Sequence, residues 1–357
     1  MKKRLFLIVF FSVILARGQT AKPYSNEFLN IGVDARALGM GNSAVAYPTD
    51  LTAGYWNPAL LYHVQSPEIA LMHAAYFDNI ANYDYMAYGD SIDSITSFSI
   101  SMIRFGVDNI MDTSLLIDAE GNIDYDRITY FSTADYALNF SIGRKNLWKN
   151  LDLGITFKLI YRHIGEFASG YGFGIDVGAA YKLNKWKLGM IVRDITTTYN
   201  YWSFDEDELE KIGQAIPGQN QELPNSVELT LPKLQLGIQR TFELKKNLEL
   251  SAEFDLHSRF YKTSSIIASD FISIEPSLGL EFNYEKLAFL RLGVNNFQEE
   301  EYYGQKEITF QPNAGLGFRY KGIAVDYALT NIGSGNFFSH VFSLKIKLEA
   351  FFPKKNQ

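Results

Sequence analysis

Five histidines (His63, His73, His163, His257 and His340) are the side chains best suited to moving protons near neutral pH, and none has the company that catalysis needs. A serine nucleophile requires a histidine within hydrogen-bond reach, itself oriented by a carboxylate. His257-Ser258 and Ser339-His340 are adjacent pairs, but neighbours on a strand point to opposite faces and cannot act together. The chain contains no cysteine, which excludes a disulfide framework, a thiol nucleophile, a Cys-ligated zinc and a lipoprotein anchor. Gly39-Met40-Gly41-Asn42-Ser43-Ala44 has the spacing of a dinucleotide fingerprint, yet no buried strand precedes it and no βαβ unit follows. These residues predict a protein that is not an enzyme and uses no cofactor and no metal.

Charge offers a different chemistry in the stretch 195–232. Ser203-Phe204-Asp205-Glu206 fits a capping box, and Asp205, Glu206, Asp207, Glu208 and Glu210 load the first turns of a short exposed helix that stops near Gly213. With Trp202 beside them, these acids are the candidate external contact; the bland alternative is a solvated polar loop. The spacing lacks the EF-hand pattern, so no calcium site is read here.

The elements that position these residues announce themselves by period two. Phe342, Leu344, Ile346, Leu348, Ala350 and Phe352 share one face, while Ser343, Lys345, Lys347 and Glu349 share the other; only a strand separates them so completely. The same alternation runs through 151–161, 248–256 and 308–319. About fourteen strands follow, starting near residues 68, 83, 94, 133, 151, 171, 185, 233, 248, 270, 287, 307, 323 and 339. A soluble sandwich gives the same alternation. Connection lengths decide between them. Tight turns fall around Asn146, Asn184-Lys185, Lys245-Lys246-Asn247, Glu285-Lys286 and Lys321-Gly322, and longer ones at 107–131, 195–232 and 297–306. That sorting is what an all-β transmembrane antiparallel barrel requires. Pro276 and Pro312 mark irregular strand positions. The inward face carries Gly172, Gly174, Gly178, Gly237, Gly279, Gly293, Gly315 and Gly317, which either admit something inside the barrel or relieve curvature. Asp176, Arg162, Glu253, Asp255, Arg291, Arg319 and Asp326 add mixed charge to that face.

Export is consistent with this. Residues 1–18 read as a cleaved signal peptide, with Lys2, Lys3 and Arg4 before an apolar run from Leu5 to Ala16, small residues at Ala16 and Gly18, and Gln19 as the mature start. The run is too short for a comfortable anchor, and no later stretch could form a spanning helix. The formal charge is −7, falling to about −11 without Lys2, Lys3, Arg4 and Arg17. A pI near 5.4 argues against nucleic acid as a partner.

Residues 19–65 break the pattern: they are rich in Gly and Ala, lack period two and end in an Asn-Pro turn signal. A compact segment ahead of a barrel (66–357) reads as a lumenal plug or as a periplasmic leader. Asp34-Ala35-Arg36-Ala37-Leu38-Gly39-Met40-Gly41, followed by Trp56-Asn57-Pro58-Ala59, resembles the N-terminal signature of the PorV/PorQ family. The segments 198–202, 232–237 and 339–344 extend that resemblance over the mature chain. It implies an outer-membrane barrel of about fourteen strands, similar in fold to the FadL fatty-acid transporters and associated with type IX secretion in Bacteroidetes. It further implies a cargo shuttle or an attachment-complex component. The partners would be outer-membrane lipid, a translocon barrel, attachment-complex proteins and the C-terminal domains of secreted cargo. The motif residues Ala35, Arg36, Gly39, Met40, Gly41, Trp56, Asn57, Pro58 and Ala59 would form the plug. The rival reading is a FadL-like transporter of hydrophobic small molecules with residues 24–61 as a hatch. An apolar lumen would favour the transporter, and the mixed-charge inward faces favour secretion. Either way the chain is expected in the outer membrane of a Gram-negative bacterium.

Overall fold

A computed structural model describes residues 25–117, 121–207, 226–302, 305–331 and 338–352. Fourteen antiparallel strands form one sheet: β1 (Glu68–Tyr76), β2 (Ala81–Asp93), β3 (Thr96–Asp112), β4 (Thr129–Trp148), β5 (Leu151–Ile164), β6 (Ala168–Leu183), β7 (Trp186–Arg193 and Thr198–Phe204), β8 (Val227–Thr230 and Lys233–Lys245), β9 (Leu248–Arg259), β10 (Ser273–Tyr284), β11 (Ala288–Tyr302), β12 (Gln305–Tyr320), β13 (Ile323–Asn331) and β14 (Phe338–Lys347). Both segments of β7 pair with β6 on one side and with β8 on the other, so each interrupted strand crosses the wall once. β1 pairs with β14, Ile69 opposite Ile346, and closes the barrel. Closure leaves no unpaired sheet edge within the barrel band, which is the condition for spanning lipid with strands. No helix among the described residues is long and apolar enough to cross a membrane.

Alternation assigns the faces. On β5, Ile155, Phe157 and Leu159 are exposed while Thr156, Lys158 and Ile160 are buried. On β14, Phe342 is exposed and Ser343 and Lys345 are buried. The apolar face is therefore turned to lipid and the polar face to the lumen. Aromatic side chains rim the outward band. Tyr136 stacks on Tyr161 at 6.1 Å and Tyr161 contacts Tyr171 at 5.1 Å, while Trp148, Tyr284 and Tyr320 are exposed toward the opposite rim.

Connections at the end that carries the start of β1 and the close of β14 are tight, and this is the turn end. Lys149-Asn150 and Lys321-Gly322 have positive φ at both residues, the shape that matches strand twist in two-residue hairpins, and Glu285-Lys286 do so within a three-residue loop. The other end, the loop end, carries the longer connections 113–128, 205–226 and 260–272. Four expectations shift. The turn expected near Asn146 lies at Lys149-Asn150, because β4 continues through an irregularity at Asn146 (φ 52°) to Trp148. The stretch 297–306 continues β11 and β12 as a hairpin. β14 ends at Lys347, and Leu348–Ala350 form a 3-10 turn. Part of 195–232 belongs to β7 and β8.

Both prolines sit within ladders, at positions that lack one neighbour. Pro276 lies two residues beyond the last β10–β11 pair and Pro312 one beyond the last β12–β13 pair. Each missing N–H therefore faces no partner strand.

Residues 25–65 lie inside the barrel. They form four short helical turns, Glu27–Asn30, Ala35–Gly39, Ala53–Trp56 and Pro58–His63. Asn57 caps the last, its Oδ1 accepting from Ala59 N at 3.2 Å with Pro58 at the first helical position. Val33, Leu38, Leu51, Trp56 and Leu61 pack with inward Tyr76, Tyr83 and Ile103 as the apolar core. A chain this rich in strand thus buries its largest apolar cluster in its least regular segment.

Candidate functional site

The family-motif residues gather in the lumen. Arg36 donates from Nε and from the guanidinium end to Glu281 at 2.8 and 3.1 Å, a bidentate pair with both side chains buried. Glu281 also accepts from Arg291 (2.7 Å), which in turn donates to Asp326 (2.7 Å). Lys345 donates to Asp34 (2.5 Å) and to Asp50 (2.7 Å). Arg36 lies 4.3 Å over the Tyr47 ring, and Lys187 approaches the same ring at 4.3 Å. These links tie the inner segment directly to β7, β10 and β14 and, through Glu281, on to β11 and β13, with each charge of the ion pairs facing an opposite one.

Carboxylates also hold backbone. Asp255 accepts from Ala44 N (2.8 Å) and Val45 N (3.1 Å), and Glu253 from Ala46 N (2.6 Å). Asn57 Nδ2 donates to Val45 O at 2.8 Å and to Ala179 O at 3.1 Å, so one side chain ties two parts of the segment to β6. Burial without such partners would cost each group about 1–3 kcal/mol.

The inward glycines divide into two sets. A Cβ on Gly293 would lie 2.1 Å from Met40 C, on Gly279 2.6 Å from Met40 O, and on Gly178 2.2 Å from Asn57 Oδ1. Gly237 and Gly315 meet both segment and wall: a Cβ on the first would lie 2.5 Å from Asp255 Oδ1 of the wall and 2.8 Å from Val45, and on the second 3.1 Å from Tyr327 O and 3.3 Å from Gly39. Gly172 and Gly174 face Asn200 and Thr198 of β7 instead, and Gly317 faces Asp326 and Arg291. Close approach of the inner segment accounts for the first set, and inward side chains of the wall itself for the second. Gly143, Gly154 and Gly189, which contact Pro58 and Val45 in the same way, are also readable from strand parity.

Between its two segments β7 swells at Asp194–Thr197, where Asp194 (φ 54°) and Thr197 (φ 62°) are left-handed. Lys158 bridges Asp176 at 2.7 Å and Asp194 behind this bulge, so the wall break is lined by matched charge.

Above the inner segment, toward the loop end, is a cavity of about 740 Å³. Leu29, Ile31, Leu38, Tyr55 and Trp56 contribute its floor, and β7 to β13 its wall. Glu27 binds Arg259 (3.1 Å) and Lys233 (3.6 Å) across it. Burial pushes the Glu27 carboxyl up, but the Lys233 and Arg259 cations outweigh it and hold the group below its usual range. Two further lumenal cavities measure only about 10 Å³ each, room for a single water.

Of the expected contact residues, Trp202 is buried at 5 % exposure. It faces the lumen with the Arg162 guanidinium 4.9 Å over its ring, because it continues the parity of β7. Asp205, Glu206 and Asp207 are exposed. Glu208, Glu210 and Gly213 fall outside the described residues, and with them most of the expected helix. His257 Nε2 lies 3.4 Å from Ser277 Oγ at the cavity wall, and no carboxylate orients its other nitrogen among the described residues. Among those residues no three His, Asp or Glu side chains could share a metal.

No family model matches the chain, and no curated protein does. Solved structures do. The Pseudomonas putida toluene transporter TodX superposes with a TM-score of 0.56 at 11% identity, over 88% of this chain and 98% of that one. The Ralstonia pickettii toluene transporter TbuX gives 0.53 at 12%, over 88% and 98%. The CymD monoaromatic hydrocarbon channel gives 0.51 at 12%, over 88% and 96%. What is shared at such identities is the fold. The chain shares that fold, a closed fourteen-strand antiparallel β-barrel. Its similar structures are transporters and channels.

Proposed function

We propose that the chain is a passive transporter of small molecules in the outer membrane, with residues 25–65 as the plug that closes its lumen. One observation carries this reading. A cavity of about 740 Å³ opens toward the loop end and is floored by the inner segment, below which the matched charges and the glycine contacts fill the barrel. A vestibule above a removable floor is the geometry of gated passage. The toluene and hydrocarbon names of the similar structures support small-molecule passage on this fold. Liposomes carrying the full chain are expected to swell in at least one member of a panel of small neutral and anionic solutes, and faster when Gly293→Leu displaces the floor. Swelling no faster than empty vesicles for both proteins would overturn the reading.

A second reading is favoured by a separate feature. Beyond Val107 and Thr133, β3 and β4 pair with each other alone. This free-standing hairpin exposes Ile117, Ile123 and Tyr125, which suit contact with another protein. It supports the role that the motif implies, a type IX shuttle or attachment component that meets a translocon barrel, attachment proteins or cargo C-terminal domains. Extraction of the tagged chain in mild detergent separates the two. Co-purification of a large barrel or of exported proteins with a shared C-terminal domain supports secretion, and the chain alone supports transport.

A further inference from the structure

The wall of the loop-end cavity is unlike a hydrocarbon site. Its cations are already committed. Arg259 is held by Glu27 and by Glu275, each at 3.1 Å. Lys233 faces Glu27 at 3.6 Å. Arg193 donates to Gln235 (3.1 Å) and to Tyr55 O (3.0 Å) and lies 3.7 Å from Asp176. A carboxylate or phosphate entering the cavity would compete with these pairs instead of meeting a waiting cation.

What the wall offers is carboxamides, each with one end fixed. Gln235 accepts from Arg193 through Oε1, which leaves its NH2. Asn295 accepts from Asn313 at 2.9 Å, which leaves its NH2. Asn30 donates to Glu27 at 2.8 Å, which leaves its oxygen. Asn42 donates to Ile31 O at 3.2 Å, and its Oδ1 is buried without a partner. Two donors and two acceptors thus line one space, and a fixed end fixes the direction of the other. Hydroxyl groups both donate and accept, so a polyol satisfies such a set, whereas an apolar ligand would leave every one of them unpaired. The volume lies within the range that buries a drug-sized ligand.

We infer that this cavity binds a neutral polyhydroxylated ligand, a short oligosaccharide, and not a hydrocarbon or a fatty acid. The inference rests on the vestibule reading above and names its cargo class. The test uses the full chain in detergent, titrated with a panel of neutral trisaccharides (maltotriose, cellotriose, mannotriose and triacetylchitotriose), with decanoate and toluene as apolar comparators. At least one trisaccharide is expected to bind, and Gln235→Leu together with Asn295→Leu is expected to weaken it ten-fold or more. Those variants keep the heat-resistant gel mobility of the folded barrel, which separates loss of the site from loss of the fold. Three outcomes would overturn the inference: no trisaccharide binding, binding that ignores both substitutions, or decanoate or toluene binding that the substitutions abolish. Saccharide binding without liposome swelling would keep the inference and remove transport. Swelling without saccharide binding would do the reverse.

Discussion

Lys345 stands between two carboxylates that come from the inner segment, Asp34 and Asp50; Lys345 and Asp34 are buried and Asp50 is partly buried. Replacing it with methionine keeps the volume of the stem and leaves two anions facing each other in the lumen. The cost of orphaning a buried pair, about 3–5 kcal/mol, should appear as a lower urea midpoint for loss of gel mobility. A midpoint unchanged from the full-length parent would show that the network is not structural. Glu27 gives the pH-dependent counterpart. Its carboxyl titrates below the ordinary 4.5 because Lys233 and Arg259 outweigh burial, so the anchor it provides is complete above that pH and is lost as the pH falls through the lowered value. Protection of the amides in residues 25–31, corrected for the intrinsic pH dependence of exchange, should therefore be high at pH 6 and fall as the pH drops through the lowered value; protection that ignores pH would remove Glu27 as an anchor. Sequence parity identified the inward charges Glu253, Asp255, Arg291 and Asp326, since alternation alone assigns a face. It could not identify what they hold, because Arg36 meets Glu281 only once a segment without period is folded back inside the wall. Trp202 shows the converse: read as a loop residue, it obeys the parity of a strand that the sequence ends too early.

At the scale of elements the strands were legible almost throughout, because lipid on one side and a polar lumen on the other enforce strict alternation. Phe157 and Lys158 of β5 state the rule side by side, one exposed and one buried. Phe157→Arg should lower barrel stability by about 2–4 kcal/mol, the cost of a cation at mid-membrane, read as reduced folding into lipid vesicles; undiminished folding would put Phe157 outside the band. The break in β7 was illegible, since Asp194 and Thr197 are neither glycine nor asparagine and give no turn signal for their left-handed backbone. The inward glycines were visible, but their two roles separate only in space. That separation is testable. Gly293→Ala places a Cβ against the backbone of Met40 and Gly41, while Gly174→Ala meets Thr198 Oγ1 of the wall, a buried hydroxyl held by Asp194. Each should cost about 1–3 kcal/mol of overpacking, but only the first should expose residues 40–41 to protease in an intact barrel. Equal protease sensitivity in the two variants would return all eight glycines to a role in curvature.

For the molecule as a whole, the wall and its contents are separable in construction. Every ladder pairing lies between strands, and the β1–β14 pairing closes the sheet without any residue of the inner segment. The inner segment, in contrast, has few hydrogen bonds of its own beyond short turns and is fixed chiefly by groups that the wall presents, from Ser343 on β14 to Asp255 on β9. This asymmetry decides what removal would do. Without residues 25–61 the strands retain their backbone partners, and the lipid-facing band is untouched. Arg291 keeps Glu281 and Asp326, while Lys345, Glu253 and Asp255 exchange the partners they lose for water, which relieves the cost of burying charge. The shortened chain should therefore still insert and show the gel mobility of a folded barrel, with a lumen wide enough to pass ions. In a planar bilayer it is expected to give steady ohmic steps where the full chain gives few. If the shortened chain fails to fold, the inner segment is the core around which the wall assembles. If it folds but conducts no better than the full chain, the wall closes the lumen by itself and the plug is not the gate.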